Sequence, residues 1–138
     1  MAEVTNFPRP FPNIDDQEFW DGCNRDELLM QRCSSCKKFR WLPKPMCPHC
    51  NALEHEWVKM SGKGKVFSWT IIEHPVHPAA VEKVPYNVAQ VQLDEDPDLI
   101  MVTSLVDVKN EDIRMDMQVE AVFAEHEPGV KITKFRPV

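Results

Sequence analysis

Four of the five cysteines fall into two pairs with two-residue spacers, Cys33-Ser-Ser-Cys36 and Cys47-Pro-His-Cys50, with ten residues between them. That pattern restricts the fold more than any other feature of the chain. Zinc takes four thiolates in a tetrahedron, and a two-residue spacer lets each pair close on one ion as a knuckle. Two competing readings are a couple of redox pairs or four unpaired core thiols. A redox pair belongs at the start of a helix in an alternating strand-helix chain, and neither pair sits in such a stretch. A disulfide framework suits an exported chain with an even cysteine count, and this chain meets neither condition. Cys33, Cys36, Cys47 and Cys50 therefore read as the ligands of one structural zinc per chain. Four thiolates leave no open position for catalysis, and His49 inside the second knuckle is surplus to the set.

The charge around the pairs is one-sided. Arg32, Lys37, Lys38, Arg40 and Lys44 lie between positions 32 and 50 with no acid among them, in a chain of 138 residues whose formal charge is -6. Two readings stand. The cations offset a dianionic four-thiolate centre and otherwise face water, or they form a phosphate-binding patch for a nucleotide-bearing ligand or an acidic partner surface. Phe39 and Trp41 among them are ribbon core or a stacking platform.

The rest of the sequence divides around this zone. Residues 1–31 open with a proline-spaced arm at Pro8, Pro10 and Pro12, which favours extended backbone. Asp15 and Glu18 then suggest a capping box for a short helix over residues 16–22, with Phe19 and Trp20 on its apolar face. Residues 32–57 are the zinc ribbon. Residues 58–138 read as five strands, at 66–72, 86–93, 99–106, 118–124 and 130–135. Turns separate them at 61–65, 94–98 and 127–129, and a proline-rich loop covers 74–85. Five short strands in so few residues suggest a small barrel of the OB type. The fold class is thus mainly β: a short N-terminal helix, a rubredoxin-like zinc ribbon and a five-stranded OB barrel.

The order of these features resembles a family of zinc-ribbon/OB-fold proteins associated with acyl-CoA enzymes, long catalogued as a domain of unknown function. The residues that carry the resemblance are the Phe-Trp helix, Leu29-Met-Gln-Arg-Cys33, the connector with Pro43 and Pro45, Ser61-Gly-Lys-Gly-Lys-Val66, Pro85-Tyr86 and Lys134-Phe-Arg-Pro137. The resemblance runs from about Phe19 to Pro137. It departs at Asp94–Asp98 and Met115–Met117, turns where the family often carries glycine. It implies a non-catalytic small subunit that holds a thiolase-like partner in an active hetero-oligomer and helps accommodate its CoA ester. A hot-dog enoyl-CoA hydratase is the alternative partner. If CoA touches this chain, Lys37, Lys38, Arg40 and Lys44 are the candidates for its phosphates.

No catalytic set is expected in the chain itself. Cys23, the one spare thiol, lies between Asp21 and Asp26, a setting that disfavours thiolate. His74 and His77 are flanked by Pro75 and Pro78 and read as loop structure, with a second metal site or an acid-base pair as the alternative. A single-stranded nucleic-acid-binding OB protein is the competing function from another class. The barrel zone 58–138 holds 9 Lys+Arg against 13 Asp+Glu, a poor match to a phosphate backbone. No apolar run approaches the ~18 residues of a membrane helix. The opening MAEVTNFPRPFPNIDD has no basic start or apolar stretch, so the expected location is cytoplasmic.

Overall fold

The structure is a computed structural model and describes residues 8–138; Phe7, at the head of the proline arm, lies outside the described residues. Helix α1 spans Gln17–Asn24, and eight strands follow: β1 Leu29–Cys33, β2 Phe39–Arg40, β3 His55–Lys59, β4 Lys63–Ile72, β5 Tyr86–Leu93, β6 Ile100–Thr103, β7 Gln118–Glu127 and β8 Val130–Pro137. They form two antiparallel sheets, a small one in the order β2-β1-β3 and a curled one in the order β6-β5-β4-β7-β8. The mainly β architecture, ribbon and OB-type sheet are as the sequence leads one to expect.

The curled sheet takes its shape from small irregularities in strong strands. β5 alternates cleanly, with Asn87, Ala89, Val91 and Leu93 buried. β4 crosses it closely because Gly64 has no side chain: a Cβ there would sit 2.5 Å from the Gln92 carbonyl oxygen. A bulge between Val66 and Ser68 shifts the register, bends the strand and leaves Phe67 exposed. The sheet curls until its two ends meet. Phe135 of β8 forms a parallel bridge with Leu105, just past β6, and Thr103 Oγ1 donates to the Thr133 carbonyl at 3.1 Å. Buried Asn87 holds Leu105 in place with a fork, Oδ1 accepting from the Leu105 N–H at 2.6 Å and Nδ2 donating to its carbonyl at 3.0 Å.

The helix joins ribbon to barrel. Phe19 and Cys23 of α1, Leu28 and Met30 from the ribbon side, and Val66, Val91, Val119 and Phe135 of the barrel belong to one buried cluster. Gly22 lets β1 come close, since a Cβ there would meet Leu29 Cδ1 at 2.9 Å. The helix starts one residue later than expected and ends two later; its N-cap is Asp16, which makes no side-chain cap bond, so the expected capping box at Asp15 does not form, and the turn before the helix is organised by Asn13. The Asn13 Oδ1 accepts from the Asp15 and Asp16 N–H groups at 2.8 and 3.1 Å, and Asp16 Oδ1 accepts from the Asn13 N–H at 2.7 Å. The arm before it is tethered to the barrel by an ion pair between Arg9 and Glu127 at 3.0 Å.

Candidate metal centre and the cleft beside it

The two cysteine pairs occupy matching turns. In the first, the Lys37 N–H donates to the Cys33 carbonyl at 3.0 Å and the Cys33 N–H to the Lys38 carbonyl at 3.0 Å. In the second, Asn51 and Cys47 make the first of these bonds, and Cys47 and Ala52 the second, both at 2.9 Å. The fourth residue after each leading cysteine is left-handed, Lys37 at φ 63° and Asn51 at φ 65°. Backbone N–H groups also point at sulfur: Cys36 N to Cys33 Sγ at 3.5 Å and His49 N to Cys47 Sγ at 3.4 Å.

These turns bring all four sulfurs within 4.8 Å of one another. Cys33 and Cys50 stand 3.6 Å apart and Cys36 and Cys47 3.7 Å. Four thiolates around zinc, at about 2.3 Å from the metal, lie about 3.8 Å apart on a tetrahedron. The donor set fits the ion. Its electrostatics agree. The Cys33 thiol is pulled down to about 6, chiefly by the Cys36 N–H and against the effect of burial. The Lys38 N–H favours the Cys36 thiolate, but burial and the neighbouring sulfurs of Cys47, Cys33 and Cys50 outweigh it and push that thiol up to about 11. Four thiols this close cannot all ionise without a cation among them.

The basic residues of the ribbon do not form one surface. Lys38 and Lys44 are exposed. Lys37 and Arg32 share Glu56, at 3.4 and 2.8 Å, and their cations hold its carboxyl below the usual range, the Arg32 hydrogen bond first. Arg32 also lies over the Phe39 ring at 5.6 Å. Arg40 departs from the expectation of a phosphate-facing cation. It is only 5% exposed, because cross-strand pairing with Gln31 turns it inward. Its Nε donates to Gln31 Oε1 at 2.6 Å and its Nη2 to the Lys44 carbonyl at 2.9 Å.

Gln31, Arg40 and Lys44 fix the turn that carries Trp41, Leu42 and Pro43. This turn walls a cleft of about 300 Å³ whose other sides are α1, β6 and β8, including Trp20, Val102 and Ile132. Phe19 braces Trp41 from below at 4.7 Å and meets Trp20 edge-on at 5.0 Å. Leu42 and Val102 are exposed at 60% and 65% at its mouth. No sequence pattern points to this cleft, since its walls come from four separate stretches of chain.

Cys23 is fully buried, with Thr133 Oγ1 at 3.2 Å. Burial is what raises its thiol, a different cause from the neighbouring aspartates anticipated. His77 Nδ1 accepts from the Ala79 N–H at 3.0 Å and caps the single turn of 3₁₀ helix over Pro78–Ala80. His74 is exposed. Among the described residues, the four cysteines are the one cluster of metal-binding side chains, and no helix is long and apolar enough to cross a membrane.

Comparison with known proteins gives this arrangement a family. Residues 20–56 match the ChsH2 rubredoxin-like zinc ribbon domain, and residues 57–124 the ChsH2 C-terminal OB-fold domain. A probable enoyl-CoA hydratase alpha subunit of Thermomonospora curvata is 37% identical over 94% of this chain, which spans 40% of that protein's length. A DUF35 domain-containing scaffold protein of Pyrococcus furiosus is 39% identical over 69% of this chain and 72% of its own. Among solved structures, a chain of the Ltp2-ChsH2(DUF35) aldolase superposes with a TM-score of 0.85 at 36% identity, covering 94% of this chain and 98% of that one. A DUF35 protein from Sulfolobus solfataricus shares the fold, with a TM-score of 0.64 at 15% identity. The chain belongs to the ChsH2/DUF35 family of zinc-ribbon, OB-fold proteins.

Proposed function

We propose that this chain is a non-catalytic accessory subunit of a thiolase-type acyl-CoA complex, in which it supports assembly and CoA-ester binding for carbon–carbon bond cleavage or condensation. The observation that carries the reading is the correspondence, over nearly its whole length, to a chain of the Ltp2-ChsH2 aldolase. Cys33, Cys36, Cys47 and Cys50 hold zinc, which as a closed four-thiolate site supplies folding energy and no reaction chemistry. The reacting groups belong to the partner. The cleft is the contact surface, because half-buried Trp20 and Trp41 beside exposed Leu42 and Val102 have the composition of an interface centre.

Lys37, Lys38 and Lys44 are the residues of this chain that meet CoA phosphates; Arg40 is committed inward. The working location is the cytoplasm. The hydratase reading is kept as the second, favoured by the name of the Thermomonospora relative. A nucleic-acid role is disfavoured by the acid excess of the barrel.

Co-expression with a thiolase-like chain from the same source, followed by native mass measurement, tests the assignment. A stable hetero-oligomer is expected, with Leu42→Asp weakening it by about 100-fold through the loss of an apolar contact and the burial of a charge. A complex formed with a hot-dog hydratase alone would replace the thiolase reading with the hydratase one. Failure to assemble with either, or assembly indifferent to Leu42→Asp, would remove the cleft from the interface.

A further inference from the structure

We propose that Lys134 and Ser104, with Lys83 beside them, form a binding site for a phosphate group on the outer face of the barrel. The site is separate from the ribbon lysines and stands without the accessory-subunit reading, because it follows from charges and hydrogen bonds within this chain.

Lys134 lies on β8 and is half-buried, and withdrawing an ammonium from water is costly unless it is paired. Yet no carboxylate among the described residues lies within ion-pairing distance of Lys134 or of Lys83, whereas Lys37, Lys65 and Lys131 each have one. The chain does not lack acids, with 22 Asp+Glu against 16 Lys+Arg. Burial, and after it repulsion from Lys83, disfavour the charged form of Lys134. Two like charges drawn together with no acid between them attract an anion, which offsets the cost of both.

Hydrogen bonds hold the group in place. Lys134 Nζ donates to Ser104 Oγ at 2.8 Å, which leaves two ammonium N–H donors and the serine O–H for a ligand. The Ser104 carbonyl accepts from the Phe135 N–H at 3.3 Å, and Asn87 grips the next residue, Leu105, by both backbone groups. Asn87 Nδ2 also donates to Asn110 Oδ1 at 3.4 Å, and Asn110 Nδ2 to the Pro85 carbonyl at 3.3 Å. This relay pins the end of the proline loop near Ser104. Lys83 stands two residues before that end, in a turn closed by its N–H on the Ala80 carbonyl at 2.9 Å. Ile132, two residues earlier on β8 than Lys134 and so on the same face, lines the cleft, and the site adjoins it. The donor set selects the ligand. Two ammonium groups and a hydroxyl match a phosphate monoester of about -1.5 to -2 charge, whereas a carboxylate would neutralise one ammonium and leave the other.

Titration of the full chain with inorganic phosphate, at low ionic strength and followed by NMR, tests the site. The amide signals of Lys83, Ser104 and Lys134 should move together along one binding curve. Lys134→Gln should weaken binding by about tenfold or more, the effect of one charged hydrogen bond, and Ser104→Ala by about fivefold, the effect of a neutral one. Lys83→Gln should weaken it by about fivefold through lost attraction. Lys59→Gln, which alters an exposed lysine of the ribbon sheet, should leave binding unchanged and so separates the site from general charge attraction. Acetate should bind about tenfold more weakly than phosphate; equal binding would overturn the assignment to phosphate. Adenosine monophosphate binding more tightly than the free ion would assign the site to a phosphorylated small molecule, and binding more weakly to free phosphate. Weakening by Lys38→Gln and not by Lys134→Gln would put the phosphate on the ribbon and overturn the proposal. Ser104 and Lys134 signals that stay still in the wild-type chain would overturn it too, whether or not any variant folds.

Discussion

Ribbon and barrel differ in what fills their interiors. The barrel buries Val66, Ala89, Val91, Leu93, Met101, Val119 and Phe135 against one another. The ribbon sheet has strands of five, two and five residues, too little to enclose a hydrocarbon core of its own. Its thiols form a cluster of their own, and the buried Leu28 and Met30 beside them belong to the barrel's cluster. Arg40 in the ribbon and Lys134 in the barrel are each drawn out of water with no carboxylate in ion-pairing distance among the described residues. The barrel is stabilised by burial, which tolerates gradual loss, whereas a ribbon whose inward groups are four thiols placed for a metal is expected to fail as a unit without one.

The largest effect expected from this contrast is at a cysteine. Cys47→Ser should abolish stoichiometric zinc and unfold the ribbon sheet, because structural zinc contributes on the order of 10 kcal/mol in isolated fingers. Metal analysis and thermal melting check it together. Since Leu28 and Met30 lie in the shared cluster, the barrel should melt earlier too. Full metal content with unchanged melting would break the ribbon half of the comparison.

Phe135→Ala tests the other half. Removing a fully buried ring should cost about 3–5 kcal/mol by transfer and cavity terms. The folded variant should still bind its full complement of zinc. Loss of zinc in step with stability would show that the two interiors are a single cooperative unit.

Lys134 sharpens the contrast through pH. Burial, and repulsion from Lys83 after it, lower the Lys134 ammonium below its ordinary 10.5, although its Nζ donates to Ser104 Oγ at 2.8 Å. A lysine whose folded value is depressed binds fewer protons folded than unfolded as pH approaches 10.5 from below. Stability therefore carries a penalty at neutral pH that is relieved as pH rises through the folded value. Lys134→Met should remove that relief, flattening the difference between melts at pH 7 and in the alkaline range.

Sequence patterning reached the barrel more fully than the ribbon. Alternation located β5 at its observed bounds because every second residue is buried. It overran β6 at Ser104–Val106 because the chain there leaves β5 to pair with Phe135, a closure set by a strand thirty residues on. It cut β7 short at Ala124 because Glu125 and Glu127 look like turn residues, yet β8 supplies their partners. In the candidate site, spacing alone brought the four cysteines together. It could not show that Arg40 turns inward, since that follows from its register against Gln31. Nor could capping rules foresee that the helix begins after Asp16 with no side-chain cap, its lead-in turn held by Asn13 instead, since that follows from the path of the chain before the helix.

The smallest predicted effect compares the ribbon's own two halves. Lys37 and Asn51 hold the same left-handed position after Cys33 and Cys47, but asparagine visits that region readily and lysine does not. The strain at Lys37 is about 1 kcal/mol. Replacing it forfeits an exposed, solvent-screened pair with Glu56, and Glu56 retains Arg32 at the shorter distance. Lys37→Asn should therefore raise the melting temperature slightly or leave it level, while Asn51→Lys should lower it and Lys37→Val should lower it further, the β-branch being least compatible with positive φ. Zinc stoichiometry should be full in all three. A marked loss of stability in Lys37→Asn would mean that the lysine's charge beside the thiolates outweighs its backbone strain, and that the ribbon leans on its surface cations.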